Sequence, residues 1–297
     1  ARSTGQPAYA FTAEALAAVR ALQASSQPPL VLAYHPVART NPFHALLYGR
    51  AWAAGIAPIP LVRLERIGEL RELTRLGIAT LLHLHWLNVV MRDAGTAGEA
   101  RKRGAEFLGV LDRYRDAGGR LAWTVHNVLP HDARFEQEEA WLRGEVAARC
   151  AVVHVMTEGT PGQVADWFTI PPEKVLHVPH PSYAGAYEDT VSREQARHEL
   201  GIMPDEVVHV VIGALKPYKG LTALLDAWDE LGPGAAPRRL VIAGRPGEDE
   251  DVGPFVERAA LHPTVLLHAR PIPAEEMQLF LRAADVAVLP YLRSLNS

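Results

Sequence analysis

The chain has 297 residues, 48% of them hydrophobic and 22% charged, and a formal net charge of -4. That length accommodates two domains with sizeable cores, and the mildly acidic balance excludes a general nucleic-acid binder. Cys150 is the only cysteine, which excludes a disulfide framework and a cysteine-based zinc site and suits a reducing, cytoplasmic setting.

Residues 1–10 carry no charged-then-apolar leader pattern, and no apolar run is long enough to span a bilayer, so any membrane contact is expected to be peripheral. From there the chain alternates helix and strand. Ala13–Leu22 reads as a helix, residues 25–27 as a polar loop, and Leu30–Tyr34 as a strand ending in His35. A helix is predicted over Phe43–Ala54 with Gly55 as its stop, then a strand at Ile59–Val62, a helix at Ile67–Leu76 and a strand at Ala79–Leu84. Thr96 and Glu99 have capping-box spacing and open a long helix to about Ala117. Strand Leu121–Val125, helix Glu136–Arg149, strand Ala151–Met156, helix Gln163–Phe168 and strand Val175–Val178 follow.

This alternation predicts a parallel sheet with helices on both faces. Tyr183–Asp189 loses the apolar periodicity and reads as a linker, and Ser192 with Gln195 forms another capping-box pattern. A second series begins there: strand 207–212, helix 221–231, strand 240–243, helix 254–261, strand 265–268, helix 274–284 and strand 286–289. No helix follows the last strand, so the second domain is expected to be incomplete in this chain. The expected architecture is α/β, two Rossmann-like parallel-sheet domains facing a cleft, with the boundary at 183/184.

The stretch Gly213–Gly220 carries the most chemistry. It joins a near-continuous apolar strand to a helix, so backbone N–H groups and the positive end of the helix dipole meet at a glycine-bounded loop. The chain is rich in arginine, and its lysines are Lys102, Lys174, Lys216 and Lys219, so two of them in one loop suggest a need for compact ammonium groups beside a phosphate or diphosphate. A solvated surface turn fits those residues equally well when the loop is taken alone. No Walker A spacing is present. Ligands of open parallel sheets bind beyond the carboxyl ends of the strands. His35, His85, His126, Asn127, Thr157, Glu158, His180, Lys216, Lys219, Gly244, Arg245 and Arg270 all fall at such ends.

The loop GALKPYKG resembles the G-x-[LI]-x-P-x-K-G segment of the family 4 glycosyltransferases, which have the two-domain GT-B fold. NPFHALLY at 41–48, LHLHWLN at 82–88, WTVHNVLPHD at 123–132, VPHPSY at 178–183 and ADVAVLPYLRSLNS at 284–297 resemble a bacterial exopolysaccharide or antibiotic-type branch of that family, in the same order. The resemblance implies that Lys216 and Lys219 neutralise a donor diphosphate, with Gly213, Gly244, Arg245, Arg270 and Ile272 around the nucleotide. It implies that His126 lies against the transferred sugar. His35, Asn41, His85, Trp86, Asn127, Asp132 and Glu158 become acceptor-side candidates in the first domain.

Three departures stand out: Ala214 occupies the place of a common arginine, the family's E-x7-E element lies near or beyond residue 297, and His35–Asn41 replaces the glycine pair often found in the first loop of the N-terminal domain. The implied activity is metal-independent, retaining transfer of a hexose from a nucleotide diphosphate sugar to a saccharide, lipid-linked or small-molecule acceptor, with no separate cofactor. An inverting branch would need a base, with Asp132, His131 or Glu158 as candidates. The rivals are a sugar-nucleotide epimerase of the same fold and a nucleotide-binding subunit without catalysis. A cytoplasmic protein, with possible peripheral contact at the inner face of the membrane, is expected.

Several residues have a structural reading. His83 and His85 share one strand face as metal ligands can, but no further paired ligand motif accompanies them, so His83 reads as a core histidine. His154 and His177 are expected to be hydrogen-bonded core residues, and Glu136, Glu138 and Glu139 a solvated first helical turn. Arg101, Lys102, Arg103, Arg113 and Arg115 read as a solvated helix face, the alternative being contact with anionic lipid.

Overall fold

The structure is a computed structural model, and it describes residues 11–22, 29–38, 41–130, 133–231, 236–247, 252–292 and 295. The chain divides into a first compact unit running to Ser182, to which Leu295 also belongs, and a second spanning Tyr183–Ser294.

The first unit contains α1 (Phe11–Leu22), β1 (Leu30–His35), α2 (Phe43–Leu47), β2 (Ile56–Pro60), α3 (Ile67–Arg75), β3 (Ala79–Leu84), α4 (Ala97–Asp116), β4 (Arg120–Thr124), α5 (Glu136–Arg149), β5 (Val152–Val155), α6 (Thr160–Val164) and β6 (Val175–His177). Its six strands lie in the order β2-β1-β3-β4-β5-β6, all parallel. Successive side chains on a strand point to opposite faces, so alternate residues build two surfaces. Val31, Ala33, Ile59, Leu82, Leu84, Leu121, Trp123, Val153 and Val155 form one of them. They pack against the apolar stripes of α1, α3, α4 and α5, including Phe11, Leu70, Leu111 and Val146. The expectation of helices on both faces is met unevenly in this unit. The four long helices share one face, and among the described residues the other face carries α2 and a column of histidines.

Local signals explain the remaining differences. The helix expected over Phe43–Ala54 stops at Leu47, and the 3-10 turn Trp52–Ala54 is closed by Gly55 at φ 75°, so β2 begins at Ile56 rather than Ile59. Thr96 caps α4 by accepting from the Glu99 N–H at 3.2 Å, but the Glu99 carboxylate turns to Gly95 and Arg103 and completes only half a capping box. Glu139 is not solvated. It is buried against Arg143 one turn on, because that side of α5 faces the core. His177 is exposed rather than core, because β6 is the edge strand.

The second unit contains α7 (Arg193–Glu199), β7 (Val207–Ile212), α8 (Leu221–Glu230), β8 (Arg238–Ala243), α9 (Gly253–Leu261), β9 (Val265–His268), α10 (Met277–Ala283) and β10 (Val286–Ala287). Its parallel sheet has the order β10-β7-β8-β9. Helices cover both faces here. Leu225, Trp228, Phe255 and Ala259 of α8 and α9 pack on Val211, Leu240 and Ile242, while Ala196, Phe280 and Ala283 of α7 and α10 pack on Val208, Val210 and Val241. Ser192 and Gln195 form the complete reciprocal capping box expected at the start of α7. The end of the expected linker is held in place, since Gln278 Oε1 accepts from the Thr190 and Val191 N–H groups and Arg282 pairs with Asp189.

Candidate functional site

In the second unit the Gly213–Gly220 loop leaves the carboxyl end of β7 and enters α8 through a 3-10 turn at Pro217–Lys219. Three glycines shape it. Gly213 has φ 115°, and a β-carbon there would come within 2.9 Å of the Lys219 Nζ. Gly220, at φ 68°, is the αL residue that starts α8, and a β-carbon would fall 2.1 Å from the Pro290 carbonyl oxygen. At Gly244 a β-carbon would lie 1.9 Å from the Gly213 oxygen, so the ends of β7 and β8 approach backbone to backbone. Gly220→Ala combines backbone strain with a clash against main chain, and a loss of about 3 kcal/mol is expected in denaturant unfolding. An unchanged midpoint would mean that the loop relaxes without cost.

Lys219 is buried, at 7% exposure. Burial, and the Lys216 charge beside it, lower its pKa from the ordinary lysine value. Among the described residues its ammonium meets no carboxylate and no hydrogen-bond acceptor; it lies 5.5 Å from the ring centre of Tyr291. A buried cation with no counter-ion is costly, and here it stands at the uncapped N-terminus of α8, whose first turn holds no acidic residue. An anion placed there would offset that cost.

Gly244 is buried at the end of β8, Arg245 next to it is exposed, and Leu215 forms a bridge with Pro246 that ties the two loops together. Arg270 is engaged by Glu276 and by the Pro271 carbonyl oxygen, while Ile272 packs on the α7/α10 core. Ala214 is exposed and adds no charge; the loop's cations are Lys216 and Lys219.

In the first unit the carboxyl ends of the neighbouring strands β3 and β4 bring His85, Trp86 and His126 together. Trp86 stacks on His126 with ring centres 4.1 Å apart and planes 19° apart. Phe43, from the start of α2, stands edge-on to His126 at 5.0 Å and to His85 at 5.8 Å, and also contacts His180 at 5.3 Å. The His85 backbone is pinned on both sides, its N–H donating to His35 O at 2.8 Å and its carbonyl accepting from Trp123 Nε1 at 3.0 Å. Burial lowers the pKa of both His85 and His126 well below the ordinary histidine value, helped by neighbouring histidines, so the rings are neutral near pH 7. Neutral imidazoles among aromatic faces suit an uncharged polyol, with hydroxyls at the ring nitrogens and C–H surface on the rings.

The other acceptor-side candidates lie elsewhere in this unit. His35 donates from Nδ1 to Leu61 O at 2.8 Å and lines a separate cavity of about 670 Å³ with Arg63, Arg71, Arg103 and Arg113. Asn41 Oδ1 accepts from the Phe43 N–H at 2.9 Å and so holds the start of α2. Asn127 follows His126 and is half-buried, while Glu158 is exposed beside His177. Asp132 and His131 lie outside the described residues.

Sequence reasoning missed Phe43, His44, Tyr48 and Thr124 in the first unit and Tyr291 in the second. His44 and Tyr48 are four apart within NPFHALLY and therefore share a helix face, a signal that was available. Nothing in the sequence places Thr124 between two histidines.

No protein-family model matches the chain. A GDP-mannose:glycolipid 4-beta-D-mannosyltransferase of Xanthomonas campestris pv. campestris is 28% identical over 271 residues, 88% of this chain and 66% of the relative. A D-inositol 3-phosphate glycosyltransferase of Segniliparus rotundus is 26% identical over 151 residues, 50% of this chain and 33% of the relative. The chain thus spans about two thirds of the length of the mannosyltransferase it matches. Among solved structures, Anabaena HepE in complex with UDP superposes with a TM-score of 0.56 at 13% identity, covering 89% of this chain and 74% of that one. The catalytic domain of Arabidopsis thaliana starch synthase IV, bound to ADP and acarbose, superposes with a TM-score of 0.53 at 12% identity, covering 91% and 79%. The fold is GT-B, and the sequence kinship is with glycosyltransferases.

Proposed function

We propose that this chain transfers a hexose from a nucleoside diphosphate sugar to a saccharide or lipid-linked acceptor. The observation that carries the reading is the buried Lys219 ammonium, without a counter-ion among the described residues, at Gly213 and the N-terminus of α8. The diphosphate leaves with growing negative charge, and fixed cations and N–H dipoles stabilise that charge without reorganising. Lys219 and Lys216 supply the cations and the close glycines let the phosphates reach the backbone. No divalent metal is assigned to the reaction. His126, with Trp86 and Phe43, is assigned to the sugar, and Arg245 and the 270–272 backbone to the nucleotide.

Sequence kinship with a mannosyltransferase makes GDP-mannose the first donor to try. Retention is the expected course, with the leaving phosphate assisting the acceptor hydroxyl. The β-linkage in the relative's name favours a second reading, inversion, which needs a base in the first unit. The anomeric configuration of the product, read by proton NMR, decides between them.

Calorimetry with GDP, UDP, dTDP and ADP, each with and without EDTA, tests the donor site. One preferred diphosphate whose affinity is indifferent to EDTA is expected. Binding by none of the four would sink the assignment for this chain. Conversion of a sugar nucleotide with no acceptor present would favour an epimerase instead.

A further inference from the structure

Between α3 and α4 the first unit holds the cavity of about 670 Å³ that His35 also lines, and neither His85 nor His126 borders it. That volume is in the range of sites that enclose a small molecule. One stripe of α4 forms a wall: Arg103, Phe107, Val110 and Arg113 recur at three- and four-residue spacing and so share a helix face. Ile67 and Arg71 of α3, four apart, belong to the other wall. The exposed side chains of Val62 and Val89 continue the apolar surface around it. Gly68 lines the cavity too, and a β-carbon there would meet no atom within 4 Å, so the space beside it is open.

The charges around this space are unbalanced, with four arginines against Glu65 and Glu106. Arg103 is held by Glu99 at 2.7 Å and also lies in the field of Glu106. Arg63, Arg71 and Arg113 donate no side-chain hydrogen bond to any described residue. Arg71 meets a carboxylate only at 3.7 Å, that of the adjacent Glu72, which already accepts from Arg75 at 2.8 Å. The Arg71 Nε is buried without an acceptor. A guanidinium nitrogen in that state costs free energy, and an anionic oxygen beside it would offset the cost. Solvation by water accounts for exposed arginines taken singly. It does not account for an apolar stripe left uncovered between them.

We propose that this cavity binds one phosphate-headed amphiphile, with its hydrocarbon chain against Ile67, Phe107 and Val110 and its phosphate on the arginines, Arg71 first among them. Both features of the cavity call for both halves of such a ligand. A free phosphate would leave the apolar stripe wet, and an uncharged chain would leave the arginines without a partner. The site is separate from Lys219 and from the His126 cluster, and it does not rest on the sugar-transfer reading.

Calorimetric titration of the whole chain with decyl phosphate, kept below its micelle threshold, tests the proposal. Inorganic phosphate supplies the head alone, and decyltrimethylammonium supplies the same chain with the opposite charge. Decyl phosphate is expected to bind at a single site, and each control at least about tenfold more weakly. Arg71→Gln removes the charge and should weaken decyl phosphate about tenfold. Gly68→Leu puts a side chain into the open space and should weaken it by about as much; leucine also suits a helix better than glycine, so this variant folds. Lys219→Met, in the second unit, should leave decyl phosphate affinity unchanged. Equal binding of either control would overturn the proposal, as would an affinity untouched by Arg71→Gln or by Gly68→Leu. Binding to phosphatidylglycerol vesicles with none to the monomer would overturn it as well, since that is attraction to a charged surface and not occupation of a cavity. Decyl phosphate bound as expected by a chain that binds no nucleoside diphosphate would sink the donor site and leave this one standing.

Discussion

Lys219→Met is expected to weaken nucleoside diphosphate binding about a hundredfold and, without ligand, to raise the melting temperature. Both effects have one cause. The ammonium is buried, its pKa is lowered by desolvation and by Lys216, and among the described residues it has no counter-ion. An anion at Gly213 would supply the missing partner, and a charge-assisted hydrogen bond in such a place contributes roughly 2–3 kcal/mol, which is the hundredfold. Methionine keeps the length of the side chain and removes the buried charge, so the empty protein gains stability while the complex loses it. The nucleotide-induced rise in melting temperature, large in the parent, should nearly vanish in the variant. Isothermal calorimetry and thermal melts, each with and without the preferred diphosphate, read both arms. Equal affinity in parent and variant would remove Lys219 from the phosphate site, and a fall in the unliganded melting temperature would mean that the ammonium is held by a partner after all.

Acidification from pH 7 to pH 5 is expected to destabilise the first unit strongly, well before carboxylates titrate. Burial lowers the His44 pKa to about 4 and the His83 pKa to about 3, and carries that of His85 well below the ordinary value. The unfolded chain, with histidines near 6.5, takes up protons below that pH while the folded rings do not. Stability is therefore complete above about pH 6.5 and declines as pH falls toward the folded values. At pH 5 the loss is about 2 kcal/mol for each of His44 and His83, and His85 adds to it in the same direction, together a large fraction of the stability of an ordinary domain. The Asp112 pKa is lowered chiefly by Arg149, and that of Asp285 by the Val208 N–H and then by Arg193 and Arg197, so their contributions disappear only at lower pH. Circular-dichroism melts at pH 7, 6 and 5 should show a drop on the order of 15 °C or more. A melting temperature unchanged across that range would mean that the histidine column is open to water in solution.

The sequence by itself determined the alternation of strands and helices, the parallel sheets, the complete capping box at Ser192 and the glycine-bounded lysine loop. These are local matters: periodicity of apolar residues, caps within three residues, and glycines where the backbone turns. It also made His126 a candidate, through its place at a strand end and the resemblance of its segment. Tertiary structure alone decided which histidines meet. His83, His85, His126 and His154 come from three different strands, and only the register of β3, β4 and β5 sets Thr124 between His83 and His154. The same is true of Lys219, whose sequence is equally that of a solvated turn. It is a buried cation because Gly213 and Tyr291, 6 residues before and 72 after it, close over the ammonium. Edge position likewise exposes His177, and the helix face turned to the core buries Glu139, though in sequence each looked like the reverse. Burial and partnership depend on what the rest of the chain brings alongside, and no short stretch of residues encodes that.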